Sequence, residues 1–172
     1  AVEGLERWVK GGGVLVIFGA PWEWPTAFRA HRSTGTSRTF LVQPGVPKLD
    51  CTDSSDECEE KATAALAKAS LPAQRGHVAE SLSFRWAEQD GRPLAIYEGD
   101  AKMYAGFGDF GSGVVLGVAS SDLLTNVGLA RPENPAALVA LLSVLDTNEI
   151  VVIDQRDGIT PSGDPLSALM KA

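Results

Sequence analysis

The sequence contains few of the residues that metal centres and nucleophilic enzymes use most. Its 172 residues include two cysteines and two histidines. The metalloprotease pattern H-E-x-x-H, the nucleophile elbow G-x-S-x-G and the S-x-x-K pattern are all missing. So few thiols and imidazoles make a poor ligand set for a zinc ion. We therefore predict no metal site, no cofactor and no catalytic residue.

Long apolar runs and a basic excess are also missing. The longest unbroken apolar run covers residues 136–142, whereas a membrane-spanning helix needs about 20 such residues. Fifteen Lys and Arg against twenty-two Asp and Glu give a formal charge of −7. Nucleic-acid phosphates require a basic face, so we expect no nucleic-acid partner. With 44% hydrophobic residues, residues 1–172 are predicted to form a single ordered domain.

The two cysteines lie close together in an acidic segment. Cys51 and Cys58 fall within residues 50–60, which also hold six carboxylates. Neighbouring carboxylates raise the pKa of a thiol and oppose a thiolate nucleophile. We predict a Cys51–Cys58 disulfide, with two free thiols as the alternative. A disulfide would indicate a location outside the cytoplasm.

The apolar pattern predicts an α/β domain. Residues 14–18 form a continuous apolar run, which is typical of strands covered on both faces in a parallel sheet. Residues 22–38 are expected to form a loop, and residues 81–86 and 94–97 an antiparallel hairpin. The remaining predicted strands are 39–42, 114–119 and 150–153, and the predicted helices are 2–9, 59–69 and 135–145. The last helix would be capped by Asn134 and apolar on most of its faces.

A glycine-rich segment matches a nucleotide-binding pattern by letter only. Residues 106–111 read G-x-G-x-x-G. The dinucleotide fingerprint follows a strand and opens a helix, whereas these glycines precede the strand predicted at 114–119. We interpret them as a turn that leads into that strand.

Polar residues follow two of the predicted strands. They are Ser120, Ser121, Asp122 and Asn126 after the strand at 114–119, and Asp154, Arg156 and Asp157 after the last strand. Ligands of open α/β sheets bind at the carboxyl ends of strands, so these residues are the predicted ligand-binding site. The alternative is that they cap helices and bond loop backbone. Two interpretations are also open for Trp22 and Trp24. Their rings stack on a sugar or a partner, or they cover one end of the core.

Four segments in a fixed order resemble the domain-of-unknown-function family 4350. They are the glycine turn and strand at 111–116, Ser-Asp-Leu-Leu-Thr-Asn at 121–126, Glu-Asn-Pro-Ala-Ala-Leu at 133–138, and the closing strand at 151–154. The resemblance covers about residues 1–20 and 105–158, and it leaves residues 21–104 as a variable insertion region. It implies a three-layer sandwich with a mostly parallel sheet, similar to class I glutamine amidotransferases or flavodoxins but without the nucleophile elbow. The hairpin would be an antiparallel insertion in that sheet.

The resemblance also implies an extracytoplasmic domain of a bacterial membrane protein. We expect a fragment of a longer membrane-anchored protein, attached to the membrane only through segments outside this chain. Its expected function is non-catalytic binding of a protein partner or a small ligand. The alternative is a hydrolase or amidotransferase-like enzyme with a degenerate strand-end site built from Ser120, Ser121, Asp122, His31 or Asp157. Such an enzyme requires a histidine within hydrogen-bond reach of a serine or cysteine.

Overall fold

The computed structural model describes residues 2–42, 73–88, 91–100 and 102–145. The helices are α1 (Val2–Lys10), α2 (Asn126–Leu129) and α3 (Asn134–Leu142). The strands are β1 (Val14–Phe18), β2 (Ala30–Thr34), β3 (Thr39–Val42), β4 (Gln74–His77), β5 (Leu82–Trp86), β6 (Arg92–Tyr97), β7 (Met103–Phe110) and β8 (Gly113–Val118). Short 3-10 turns occur at Thr26–Phe28 and Asp122–Leu124. The helix predicted at 59–69 and the strand predicted at 150–153 lie outside the described residues.

Six strands form one curled sheet in the order β1–β8–β7–β6–β3–β4. Within it, β1 and β8 run parallel, with Val14 opposite Val114 and Phe18 opposite Val118. The other four pairings are antiparallel. Strands β2 and β5 pair antiparallel as a separate two-stranded sheet. The described part of the chain is therefore mostly β.

The expected three-layer α/β sandwich with a mostly parallel sheet is wrong. The apolar runs at β1 and β8 do identify a parallel pair, but that pair is the whole parallel part of the described sheet. The other six strands come from residues 30–110, where polar and glycine-rich sequences pair antiparallel. An apolar run predicts a strand but does not determine the direction of the strands around it, and β1 lies partly exposed at one end of the described sheet order.

Three local expectations also fail. The segment at 22–38, expected to be a loop, contains β2. Strands β5 and β6 exist, yet they do not form a hairpin, because β5 pairs with β2 and β6 lies between β3 and β7. The glycine-rich segment is largely strand β7 rather than a turn, and the turn is confined to residues 111–112.

Aromatic side chains fill the space between the two sheets. The ring centroids of Trp24 and Phe84 lie 4.7 Å apart, and those of Trp86 and Phe110 lie 5.4 Å apart. Such edge-to-face pairs add stabilisation beyond the burial of apolar area. Trp24 is buried and donates its indole N–H to the carbonyl of Gly19 at 3.1 Å. Of the two tryptophans considered above, Trp24 therefore covers the core.

Helix α1 docks on the β7–β8 turn through its backbone. The amide of Ser112 donates to the carbonyl of Lys10 at 3.0 Å. Gly111 supplies the positive φ of +65° that the turn needs. A Cβ atom at Gly113 would lie 1.8 Å from the carbonyl oxygen of Val9, so only glycine permits this approach. The glycines after β7 thus set the position of α1.

Helix α3 covers the β3–β4 end of the sheet. Ala137 and Leu141 are fully buried, whereas Val139 is 68% exposed. The expectation that this helix is buried on most sides is therefore wrong within the described residues. None of the described helices is both long enough and apolar enough to span a membrane.

Candidate functional site

Ser120, the first predicted site residue after β8, is buried against Tyr104. Its side-chain oxygen lies 3.2 Å from the phenol oxygen of Tyr104 and accepts a hydrogen bond from the amide of Asp122 at 3.3 Å. Ser120 is 7% exposed and Tyr104 is fully buried. Burial raises the pKa of Tyr104 above its ordinary value of 10. The Ser120 hydroxyl is thus held by a neutral phenol.

Asp122 links the chain after β8 to the chain after β4. Its carboxylate Oδ2 accepts a hydrogen bond from the amide of Ala79 at 2.7 Å. Its backbone carbonyl accepts from the hydroxyl of Thr125 at 2.9 Å. Ser121 and Asn126 are exposed in the same segment. Asp154, Arg156 and Asp157 lie outside the described residues, as do Cys51 and Cys58, so the predicted disulfide falls there too.

Asn134 begins α3 as expected, but its side chain bonds a strand instead of capping the helix. Its Oδ1 accepts from the amide of His77 at 2.7 Å, and its Nδ2 donates to the carbonyl of His77 at 2.9 Å. The same Nδ2 donates to the carbonyl of Gly128 at 2.9 Å. Asn134 is fully buried. One amide therefore pairs with the free edge of β4 and ties α2 to it.

The imidazole of His77 lies in a chain of polar groups beside Asn134. Nδ1 is 3.1 Å from the hydroxyl oxygen of Thr39, and Nε2 is 3.2 Å from Oε2 of Glu133. Because the backbone of His77 bonds Asn134, His77 and Thr39 form a non-hydrogen-bonded pair of β3 and β4, in which side chains lie closest. Across the described residues, no hydrogen bond joins either histidine to Ser120 or Ser121.

A second candidate site is a groove between β2, β5 and the start of β7. It encloses about 300 Å³. Its lining residues are His31, Arg32, Ser33, Phe84, Arg85, Lys102 and Met103. His31 lies directly opposite Arg85 in the β2–β5 register. The Arg32 guanidinium carbon is 5.2 Å from the ring centroid of Trp22, an indole that is 51% exposed.

The groove concentrates positive charge in a part of the chain that is neutral overall. The described residues hold ten of the fifteen Lys and Arg and ten of the twenty-two Asp and Glu. The formal charge of −7 therefore belongs to the remaining residues. Sequence reasoning missed the groove, although His31 and Arg32 are adjacent in the sequence. Arg85 joins them because β5 pairs with β2, and Lys102 joins them through its hydrogen bond to the carbonyl of Thr34 at the end of β2.

Asp100 is an acidic residue beside the groove. Its carboxylate accepts hydrogen bonds from the amides of Thr36 and Lys102 at 2.9 and 3.1 Å. The first of these bonds is the main reason why the pKa of Asp100 is lowered, and the nearby Lys102 ammonium acts in the same direction. The carboxylate is thus bound to loop backbone, and Lys102 is left with donors for another group.

Comparison with known proteins identifies the family of this chain. The model of DUF4350, described as a domain of unknown function, matches residues 1–142. The chain belongs to the DUF4350 family. No curated protein matches this DUF4350 chain. Among solved structures, it is similar to the exo-beta-1,4-mannosidase Op5Man5 from Opitutaceae bacterium strain TAV5, with 15% identity and a TM-score of 0.49. That similarity covers 86% of this chain and 23% of the mannosidase chain.

Proposed function

We propose that this DUF4350 chain is a non-catalytic binding domain that takes a small ligand or a protein partner. The observation that carries the proposal is the exposed pair formed by Trp22 and Arg32. Half of the Trp22 surface is open to solvent, and the Arg32 guanidinium lies over its ring. Tryptophan and arginine are enriched at binding surfaces, where they contribute much of the binding energy. Trp22 adjoins the groove through Arg32, which lines it, and an indole combines an apolar ring with a polar N–H, as binding surfaces favour.

The alternative enzyme requires a nucleophile beside a base. Ser120 is held instead by the buried phenol of Tyr104, a group whose raised pKa makes it a poor base near neutral pH. His77 contacts Thr39 and Glu133, and its hydroxyl partner is a threonine on a neighbouring strand. Within the described residues, neither arrangement places a base beside a serine nucleophile, which favours binding over hydrolysis.

We also propose that the domain acts on the extracytoplasmic side of a bacterial membrane, attached through segments outside this chain. The cysteine spacing and the family resemblance support this location. Mass measurement of the non-reduced protein tests whether Cys51 and Cys58 form the predicted disulfide. A loss of two hydrogens relative to the reduced protein is expected, and two free thiols would remove that support.

The binding function is tested with two adjacent serine variants and one tryptophan variant. Ser120→Ala should lower the free energy of unfolding by about 1–2 kcal/mol, because the Tyr104 hydroxyl loses a buried partner. Ser121→Ala, at an exposed position, should stay within about 0.5 kcal/mol of wild type. A ligand found by thermal-shift screening should stabilise Trp22→Ala less than wild type. Hydrolysis of an activated ester that Ser120→Ala abolishes would overturn the proposal.

A further inference from the structure

The basic groove is assembled from three separate stretches of chain. His31 and Arg32 come from β2, Arg85 comes from β5, and Lys102 immediately precedes β7. The cross-strand pair of His31 and Arg85 places an imidazole next to a guanidinium on adjacent strands. Both side chains are exposed, and no acidic residue lies opposite either of them in the β2–β5 register.

The charged groups of the groove retain unused donors. Within the described ranges, neither His31 nor Arg85 forms an ion pair or a side-chain hydrogen bond. The Lys102 ammonium donates one hydrogen bond to the carbonyl of Thr34 and keeps two further N–H groups. The Arg32 guanidinium carbon lies 5.2 Å from the centroid of the Trp22 ring, and among the described residues Arg32 forms no ion pair. Asp100 is the acidic group beside Lys102, and backbone amides already bind its carboxylate.

We propose that this groove binds a phosphate monoester. A phosphate monoester carries about two negative charges at neutral pH and three acceptor oxygens. Arg32, Arg85 and Lys102 all line the groove, and their three positive charges exceed the single negative charge of the nearby Asp100. A flat carboxylate would use one guanidinium and leave the others unpaired. A groove of about 300 Å³ is at the small end of ligand sites, which suits a phosphate with a small attached body.

Ser33 and Met103 suggest how the body of the ligand is accommodated. Ser33 forms a hydroxyl pair with Ser83 at 2.7 Å beside the charged groups, and Met103 and Phe84 provide the apolar part of the lining. The charged end and the apolar lining together fit an ester of phosphate better than the free ion. The inference rests on the proposed binding function and names its ligand class.

Calorimetric titration of the whole chain with inorganic phosphate tests the charged part of the site. Wild type should bind phosphate saturably and more tightly than acetate. Arg85→Gln should weaken binding by about tenfold or more, because a charge-assisted hydrogen bond is lost. Arg75→Gln is the matched control, since Arg75 lies on β4 and pairs with Glu98 at 2.8 Å outside the groove. Absence of saturable binding, equal binding of acetate, or equal losses in the two variants would overturn the inference.

Two further titrations distinguish the source of the phosphate group. Tighter binding of glucose 6-phosphate than of inorganic phosphate supports the inference and assigns the site to a soluble ester. Binding to vesicles that contain phosphatidic acid, but not to phosphatidylcholine vesicles, supports it and assigns the site to a lipid headgroup. In both cases Arg85→Gln must reduce binding, and an unchanged affinity would contradict the assignment to this groove.

Failure of this inference differs from failure of the proposed function. If phosphate does not bind while another ligand binds in a Trp22-dependent manner, the ligand class is wrong and the binding function stands. If Ser120→Ala abolishes a hydrolytic activity, the proposed function fails whatever binds in the groove.

Discussion

Replacement of Asn134 by alanine tests the most specific contact in the fold. The Asn134 amide is fully buried and makes three hydrogen bonds, two to the backbone of His77 and one to the carbonyl of Gly128. Alanine removes all three while leaving the helix propensity of α3 intact or improved. The variant therefore isolates the tie between β4, α2 and α3.

The expected loss of stability depends on whether the backbone groups of His77 and Gly128 find other hydrogen-bond partners once the Asn134 amide is removed. A net hydrogen bond contributes about 1 kcal/mol, and an unsatisfied buried partner costs about 1–3 kcal/mol. The backbone of His77 is partly buried, so water can satisfy some of its bonding, whereas the bond to Gly128 is buried. We expect Asn134→Ala to lower the free energy of unfolding by about 2–4 kcal/mol. With an m value typical of small domains, that loss lowers the urea concentration at the unfolding midpoint by about 1–2 M.

Urea denaturation followed by tryptophan fluorescence measures this loss. Asn126→Ala is the matched control, because Asn126 is an exposed asparagine at the start of α2. It should change stability by less than about 0.5 kcal/mol. Asn134→Asp keeps the acceptor for the His77 amide but cannot donate to either carbonyl, so it should destabilise at least as much at neutral pH. An Asn134→Ala protein as stable as the Asn126→Ala protein would refute the reasoning.

Two further predictions concern the core. Gly117→Ala should destabilise the folded protein by about 1–3 kcal/mol, because the new Cβ would lie 2.5 Å from the Trp24 ring. Thermal unfolding measures the loss. Gly11→Ala is the control, because the nearest atom to its new Cβ lies 3.3 Å away. The only two tyrosines, Tyr97 and Tyr104, are both buried, and burial raises the pKa of each above its ordinary value of 10. Stability from these groups is therefore complete below pH 10 and lost as the pH rises further. Tyrosinate absorbance should stay flat past pH 10 until the chain unfolds, and half-titration near pH 10 in the folded protein would contradict the burial of both rings.

Local sequence pattern predicts the position of several strands but not which strands pair with one another. The apolar runs at β1 and β8 predict two strands, and the two strands pair in parallel, although only β8 is buried on both faces and β1 is partly exposed. Strand β4 has the sequence Gln-Arg-Gly-His, which carries no apolar alternation. Its strand conformation is imposed by β3 on one edge and by the Asn134 amide on the other. Single-sequence propensity cannot detect strands that neighbours impose.

The candidate sites show the same difference between residues marked by local sequence pattern and residues brought together by strand pairing. Ser120 and Asp122 stand out in the sequence because they follow a strand, and the structure gives both of them hydrogen bonds within the fold. The basic groove depends on Arg85 and Lys102 meeting residues more than fifty positions earlier in the chain. Strand pairing, rather than local pattern, creates that proximity. The expected hairpin would have paired β5 with β6 and so concealed the groove.

The two histidines allow a direct measurement of the anion site in one experiment. His31 lines the groove, whereas His77 lies between Thr39 and Glu133 outside it. Inorganic phosphate is titrated at constant pH and ionic strength while the imidazole signals of both histidines are followed by NMR. The proposed site predicts a saturable shift of the His31 signal and an unchanged His77 signal. An unmoved His31 signal, or equal shifts of both signals without saturation, would contradict the account.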